Sequence, residues 1–198
     1  MDRTLSYYDE NAQNFIDGTV AVDFSTVADK FASLLSAGAF ILDYGCGSGR
    51  DTKYFLKKGF QVEAIDGSKE LCKYASEYTG ITVRCMLFEE LDEIEKYDGI
   101  WACSSILHVP KKDLLGIFER MVKALKSDGV IYASFKYGDF EGERNGRFFS
   151  DFTADAFHSF LIQLPELHII DEWVSVDVRP GRSEEKWLNI ILKKSIIY

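Results

Sequence analysis

From Asp43 to Arg50 the chain reads Asp-Tyr-Gly-Cys-Gly-Ser-Gly-Arg, three glycines at alternate positions between an acid and a base. The apolar run Phe40-Ile41-Leu42 precedes it, and a helical pattern carrying Tyr54, Phe55 and Leu56 follows. A strand, a turn short of side chains and a helix N-terminus together bring backbone amides to a ligand. Gly45, Cys46, Gly47 and Gly49 are therefore candidate ligand contacts. The dinucleotide fingerprint is GxGxxG, in which the third glycine lets helix and strand pack closely. Here the spacing is GxGxG, and Arg50 stands where that third glycine would be. Asp43 would repel a pyrophosphate and attract an ammonium, whereas Arg50 at a helix N-terminus suits a carboxylate. The charges fit a zwitterionic amino-acid tail better than a pyrophosphate.

Seventeen residues beyond Gly49, Asp66 ends a second apolar run, Phe60 to Ile65. A carboxylate at that point of a nucleoside-binding sheet accepts both ribose hydroxyls. The alternative is a strand-end Asp that caps a turn together with Ser68. Loop and carboxylate in this order are more specific than either alone.

The stretch Ile41-Leu42-Asp43-Tyr44-Gly45-Cys46-Gly47-Ser48-Gly49-Arg50, with Val62-Glu63-Ala64-Ile65-Asp66-Gly67-Ser68 after it, resembles the class I S-adenosylmethionine-dependent methyltransferases. It is most similar to the small single-domain bacterial kind, including tellurite-resistance-type and ubiquinone-biosynthesis-type enzymes. The resemblance covers residues 38 to 135, and the order of elements carries it to the end. It implies an α/β, Rossmann-like, doubly wound and mostly parallel sheet of seven strands with the last antiparallel. It implies S-adenosyl-L-methionine as cofactor and S-adenosyl-L-homocysteine as product. The Gly loop and Arg50 would hold the methionine tail, and Asp66, Gly67 and Ser68 the ribose. Leu87 and Phe88 would meet the adenine, Ala102 and Cys103 would line the next segment, and Tyr8 would belong to a lid. At about position 87 the family often has an Asp bonding the adenine amine, and this chain has Leu.

Ligands of such sheets bind outside the carboxyl ends of the strands. Acceptor-side candidates are therefore Tyr7 and Phe15 of the N-terminal segment, and Tyr137, Arg144 and Arg147 of the glycine-rich loop after the fifth strand. Arg179 and Arg182, in the loop Arg179-Pro180-Gly181-Arg182-Ser183, join them. Arginines meeting over the pocket would suit an anionic acceptor; exposed arginines without partners are the alternative. His108, whose ordinary pKa lies near neutrality, is a candidate general base, or else a loop histidine bonded to a carbonyl. A sulfonium methyl is already activated, so alignment and exclusion of water come first. A base is needed only if the acceptor must lose a proton. No metal site is expected.

Strands alternate with amphipathic helices from residue 24 to 135, the pattern of a parallel doubly wound sheet. Helices are expected over 24–35, after the Gly loop, from Ser68 to Gly80, from Lys111 to Leu125 and after Thr153. Strands are expected at 81–86, 99–103 and 130–135, and two runs at 167–178 and 187–192 should pair as an antiparallel hairpin. The 198 residues, 46% of them hydrophobic, suit one domain. Within it, 1–36 would be a helical lid region, 37–135 the cofactor core, and 136–198 the acceptor loop, a helix and the hairpin. No apolar run reaches the roughly 18 residues of a membrane span, and the N-terminus lacks a secretory pattern. Four cysteines without a CxxC pair are expected as free thiols in the cytosol. A net charge of −9 opposes binding to a nucleic-acid backbone. The expectation is a cytoplasmic monomer or homodimer acting on a small molecule. The rival readings are a protein that only senses S-adenosylmethionine or its product, a transferase using the decarboxylated cofactor, and a nicotinamide oxidoreductase.

Overall fold

The computed structural model describes residues 2–179 and 181–195; Pro180 of the expected turn lies outside the described residues. In chain order the elements are α1 (Asp2–Glu10), α2 (Ala12–Thr19), α3 (Ser25–Ala32), β1 (Phe40–Tyr44), α4 (Arg50–Lys57), β2 (Gln61–Asp66), α5 (Lys69–Thr79) and β3 (Arg84–Cys85). There follow β4 (Tyr97–Ala102), α6 (Lys111–Ala124), β5 (Leu125–Lys136), β6 (Glu141–Arg144), β7 (Arg147–Ser150), α7 (Ala154–Leu161), β8 (Leu167–Val176) and β9 (Lys186–Lys194). Short 3-10 turns lie at Phe88–Glu90 and Ile106–His108.

Seven strands form one sheet in the order β3-β2-β1-β4-β5-β9-β8. β1 to β5 are parallel; β9 runs antiparallel to β5 and to β8, so the expected hairpin forms the sheet edge with the last strand inside it. The chain direction across the sheet reverses between β1 and β4, which opens a crevice at their carboxyl ends.

Neighbouring residues of each central strand face opposite layers, as the pleat requires. Leu42, Ile100, Ile131 and Ile190 point to the layer of α6 and α7, with Phe118, Met121 and Phe157. Ile41, Trp101, Tyr132 and Ile191 point to the layer of α3 and α4, with Ala28, Phe31 and Phe55. Burial on both faces explains why these strands are apolar throughout. Two helix starts follow the sequence directly: the hydroxyls of Ser68 and Thr153 accept from the amides of Leu71 and Ala156.

Three expectations change in detail. The third strand shrinks to Arg84–Cys85, because only Ile65 and Asp66 of β2 pair with it. The loop after β5 is a hairpin, β6 and β7 pairing around Asn145-Gly146. Both turn residues have positive φ, 52° and 79°, the backbone that Asn-Gly favours. The third change concerns residues 1–36, since α3 is a core helix and only α1 and α2 lie over the sheet's mouth. Phe31 is fully buried, its ring centroid 5.1 Å from Trp101 and 5.8 Å from Phe55. Gly99 permits this approach: a Cβ there would stand 2.7 Å from the Phe31 ring. Phe31→Ala is accordingly expected to cost about 3–5 kcal/mol, read as a lowered urea midpoint with an unchanged slope. A cost below about 1 kcal/mol would make α3 part of a detachable lid.

Candidate active site

The carboxyl ends of β1, β2, β4 and β5 open into one cavity of about 540 Å³. The turn after β1 begins with the amides of Gly45 and Cys46 both donating to the Ile65 carbonyl, which locks it to the neighbouring strand. Gly45 has φ 88° and lies so close to Ser105 that a Cβ would fall 2.4 Å from the serine Cβ. Gly47, at φ 55°, leaves room for the ring of Phe15, which would be 2.9 Å from a Cβ. The glycines thus let neighbouring segments close over the turn.

Asp66 holds the turn from the other side. One carboxylate oxygen accepts from the Gly47 amide at 2.8 Å and the other from the Ser68 amide at 2.9 Å. Burial raises its pKa, and the two amides oppose the rise. Asp43 is buried at the end of β1, where it accepts from the Thr52 hydroxyl at 2.5 Å. Burial and the nearby Asp51 carboxylate push its pKa up, so a cation beside it would relieve a strained charge. Arg50 is held in a fork by Asp51, at 2.7 and 2.8 Å, and Asp51 also accepts from the Trp101 indole at 2.9 Å. The arginine is therefore oriented by its immediate neighbour in the chain, a residue absent from the candidates that the sequence pattern marks.

Asp43, Gly45, Cys46, Gly47, Arg50, Asp66, Gly67, Leu87, Phe88 and Cys103 all line the cavity. Gly49, Ser68 and Ala102 do not. Gly49 packs on α5, where a Cβ would meet Thr79 and Ala75. Ser68 is fully buried and donates its hydroxyl to Asp9 at 2.6 Å, while Ala102 faces the core. At Leu87 and Phe88 the backbone is already engaged: the Leu87 amide donates to Glu90 and the Phe88 carbonyl accepts from Tyr44. What the cavity offers there is an apolar slot of Leu5, Leu71, Met86 and Leu87. Cys103 has its pKa pushed up to about 12, by burial and then by Asp51, so it stays a thiol.

The cavity is roofed by α1, α2 and the β6–β7 hairpin. Tyr8, Phe15, His108, Tyr137, Arg144, Arg147, Arg179 and Arg182 line the cavity, and Tyr7 stands behind them against Gly146. The Phe148 amide donates to Thr4, and the Thr19 hydroxyl to Ser48, joining roof to hairpin and to Gly loop. His108 bridges the roof. Its Nδ1 lies 2.6 Å from the Phe148 carbonyl and its Nε2 2.8 Å from the Tyr8 hydroxyl. A carbonyl only accepts, so Nδ1 carries the proton and Nε2 accepts from Tyr8. The histidine is bonded to a carbonyl, and its basic nitrogen is occupied by the Tyr8 hydroxyl at the cavity wall. Burial lowers its pKa to about 4. Arg144 and Arg179, expected as free cations, are paired with Asp151 and Asp177, and Arg182 lies 3.5 Å from Glu185. Among the described residues, no cluster of His, Cys, Asp and Glu could hold a metal, all four cysteines are free, and no helix is long and apolar enough to cross a membrane.

Known proteins agree with this architecture. The family model described as a methyltransferase domain matches residues 41–129. A ubiquinone biosynthesis O-methyltransferase of Nitrobacter winogradskyi is 30% identical over 169 residues, which is 82% of this chain and 61% of that protein. The solved structure of Burkholderia thailandensis 1,6-didemethyltoxoflavin-N1-methyltransferase, with S-adenosylhomocysteine bound, superposes with a TM-score of 0.75 at 23% identity, over 96% of this chain and 85% of that one. A [4+2]-cyclase, SpnF, superposes equally well at 0.75 and 14% identity, over 98% and 95%. The fold alone therefore does not fix the reaction. Over residues 41–129 the chain is similar to methyltransferase domains, and it shares the seven-stranded fold of S-adenosylmethionine-dependent methyltransferases. It spans about half the length of the curated relatives it matches.

The state of His108 is open to direct measurement. Its folded pKa lies below its unfolded value, so the unfolded chain binds the extra proton first. The stability His108 contributes is complete above about pH 6.5 and is lost as pH falls toward 4. Nitrogen-15 shifts of the ring should report the neutral Nδ1–H form throughout pH 5 to 8. Protonation near pH 6.5 would contradict the buried Tyr8–His108–Phe148 chain.

Proposed function

We propose that this protein transfers the methyl group of S-adenosylmethionine to a small-molecule acceptor. One observation carries the reading: a single cavity is lined both by Asp43, the Gly loop, Arg50 and Asp66 and by Tyr8 and His108. A sensor of the cofactor needs the first group only. A histidine–tyrosine pair in the same cavity, beyond what cofactor binding needs, favours an enzyme.

The residues of the first group fit the cofactor's chemistry. Arg50 offers a cation to the carboxylate of an amino-acid tail, and the tail's ammonium would favour the ionised form of Asp43. Asp66 keeps lone pairs beyond those used by the Gly47 and Ser68 amides, enough to accept ribose hydroxyls. The slot around Leu87 takes an adenine by apolar contact, without the carboxylate that the family often carries there. Cofactor contacts are assigned to these residues and to Gly45, Cys46, Gly47, Phe88 and Cys103, with Tyr8 covering them. When bound, S-adenosylmethionine supplies a methyl group on a sulfonium, already activated toward displacement.

The chain's own work is then to align the acceptor, exclude water and take up a proton. α1, α2 and the β6–β7 hairpin act as the cover. For an acceptor bearing O–H or N–H, the Tyr8 oxygen receives the acceptor's proton as the Tyr8 proton passes to His108 Nε2. His108 would then carry that proton as an imidazolium and later return it to solvent, while the residues around Asp43, Arg50 and Asp66 would hold the methyl donor in line with the acceptor. The low pKa of His108 means that it holds the proton only while transfer proceeds.

Asp66→Ala should weaken S-adenosylhomocysteine binding by roughly 2–4 kcal/mol, the sum of two hydrogen bonds to a charged acceptor. Calorimetry on the folded variant checks it, and unchanged affinity would remove Asp66 from the site. Turnover is tested with labelled methyl donor against a panel of small hydroxyl and amine acceptors. His108→Gln should then lower kcat on the order of 100-fold with cofactor affinity preserved. Loss of cofactor affinity with kcat unchanged would make His108 a strut of the roof only.

A further inference from the structure

The basic side chains lining the cavity are nearly all answered by carboxylates. Arg144 forks onto Asp151 at 2.9 and 3.1 Å, Arg179 onto Asp177 at 2.8 and 2.5 Å, and Lys136 pairs with Glu185. Arg147 has no carboxylate within ion-pair distance among the described residues. Lys186, which also lines the cavity without such a partner, is exposed. Arg147 is half-buried, and its guanidinium lies 4.7, 5.7 and 5.2 Å from the ring centroids of Tyr7, Tyr8 and Phe149. Its Nε is buried without a hydrogen-bond partner, and its one hydrogen bond is a long donation, 3.4 Å, from Nη1 to the Tyr8 oxygen.

Such a placement is costly for the free protein. A buried Nε–H given no acceptor keeps its desolvation penalty. Three ring faces return part of that penalty through the cation–π attraction. The rings also keep the fork in one orientation, beside the Tyr8–His108 pair that the proton path above uses. β6–β7 pairing sets Arg144 opposite Arg147, and Asp151 neutralises the first while leaving the second. A cation held ready next to Tyr8 and His108 needs a partner that arrives with the ligand.

We infer that Arg147 anchors the methyl acceptor and that the acceptor is a small carboxylate. One unanswered guanidinium matches one negative charge, and its planar fork matches a carboxylate in two hydrogen bonds. A doubly charged phosphate would bring one charge more than the single unanswered guanidinium can match. The inference rests on the proposed function, because the donor must lie at the Gly loop for Arg147 to face the acceptor.

The test is calorimetry on the full chain, first with S-adenosylhomocysteine alone and then, with that ligand saturating, with two matched pairs of probes. The pairs are benzoate with benzamide, and succinate with succinamide. At least one acid should bind ten-fold or more tightly than its amide. Arg147→Met should bring that ratio close to one while S-adenosylhomocysteine affinity stays within about two-fold. Arg147→Lys, which keeps the charge and loses the fork, should retain part of the preference. Arg144→Met should leave it intact. If the wild-type protein binds S-adenosylhomocysteine but neither acid is preferred, the inference falls and the methyltransferase reading stands. The inference falls in the same way if Arg147→Met keeps the preference. If S-adenosylhomocysteine itself fails to bind, the functional reading falls and takes this inference with it.

Discussion

The carboxylate of Asp66 receives amides from two directions, Gly47 of the turn after β1 and Ser68 at the start of α5. The Ser68 contact is local, two residues along the chain, but the Gly47 contact requires β1 and β2 to pair in parallel with Tyr44 opposite Ile65. That register puts the Ile65 carbonyl under the amides of Gly45 and Cys46, and Asp66 one residue further, level with Gly47. The Gly turn is thus shaped by its neighbour strand as much as by its own glycines. A slip of one residue would point Asp66 to the other face of the sheet and leave the turn unheld. The floor of the cavity depends on this one pairing.

Two groups of residues lining the cavity are built on different principles. Around the Gly loop the polar groups are held in advance: Asp51 aims Arg50, Thr52 donates to Asp43, and the Gly47 amide donates to Asp66. Around Tyr8 and His108, segments distant in sequence meet, with α1, the turn before α6 and β7 contributing Tyr8, His108 and Arg147. Aromatic rings fill the space between them, Tyr8 standing edge-on to Phe15 and to His108. Rings exclude water and leave fewer hydrogen-bonding groups committed. Such a wall can accept different molecules through modest changes, which is consistent with one fold serving many reactions.

Much of this was legible in the chain itself. The alternate glycines, Arg50 in place of a third glycine, and Asp66 at a strand end marked the turn that floors the cavity, since each depends on local geometry. Ser68 and Thr153 marked helix starts for the same reason. The acceptor side was legible only as a set of residue types. Asn145-Gly146 carried a hairpin signal that the glycine-rich surroundings obscured. Asp177 and Arg179, two apart near the end of β8, could have been read as neighbours on one face. Arg144 and Asp151 could not, because their contact depends on how the hairpin folds back. That Arg147 lacks an acid, and that the Leu87 amide is already taken by Glu90, follow from three-dimensional packing. No pattern along the chain reports either.

The central claim is that the turn from Asp43 to Arg50 receives an amino-acid tail and not a pyrophosphate. Calorimetric titration of the same preparation with S-adenosylhomocysteine and with NAD tests it most directly. The account predicts one equivalent of S-adenosylhomocysteine bound per chain, with no heat from NAD beyond dilution. Saturable binding of NAD, with S-adenosylhomocysteine giving none, would contradict it.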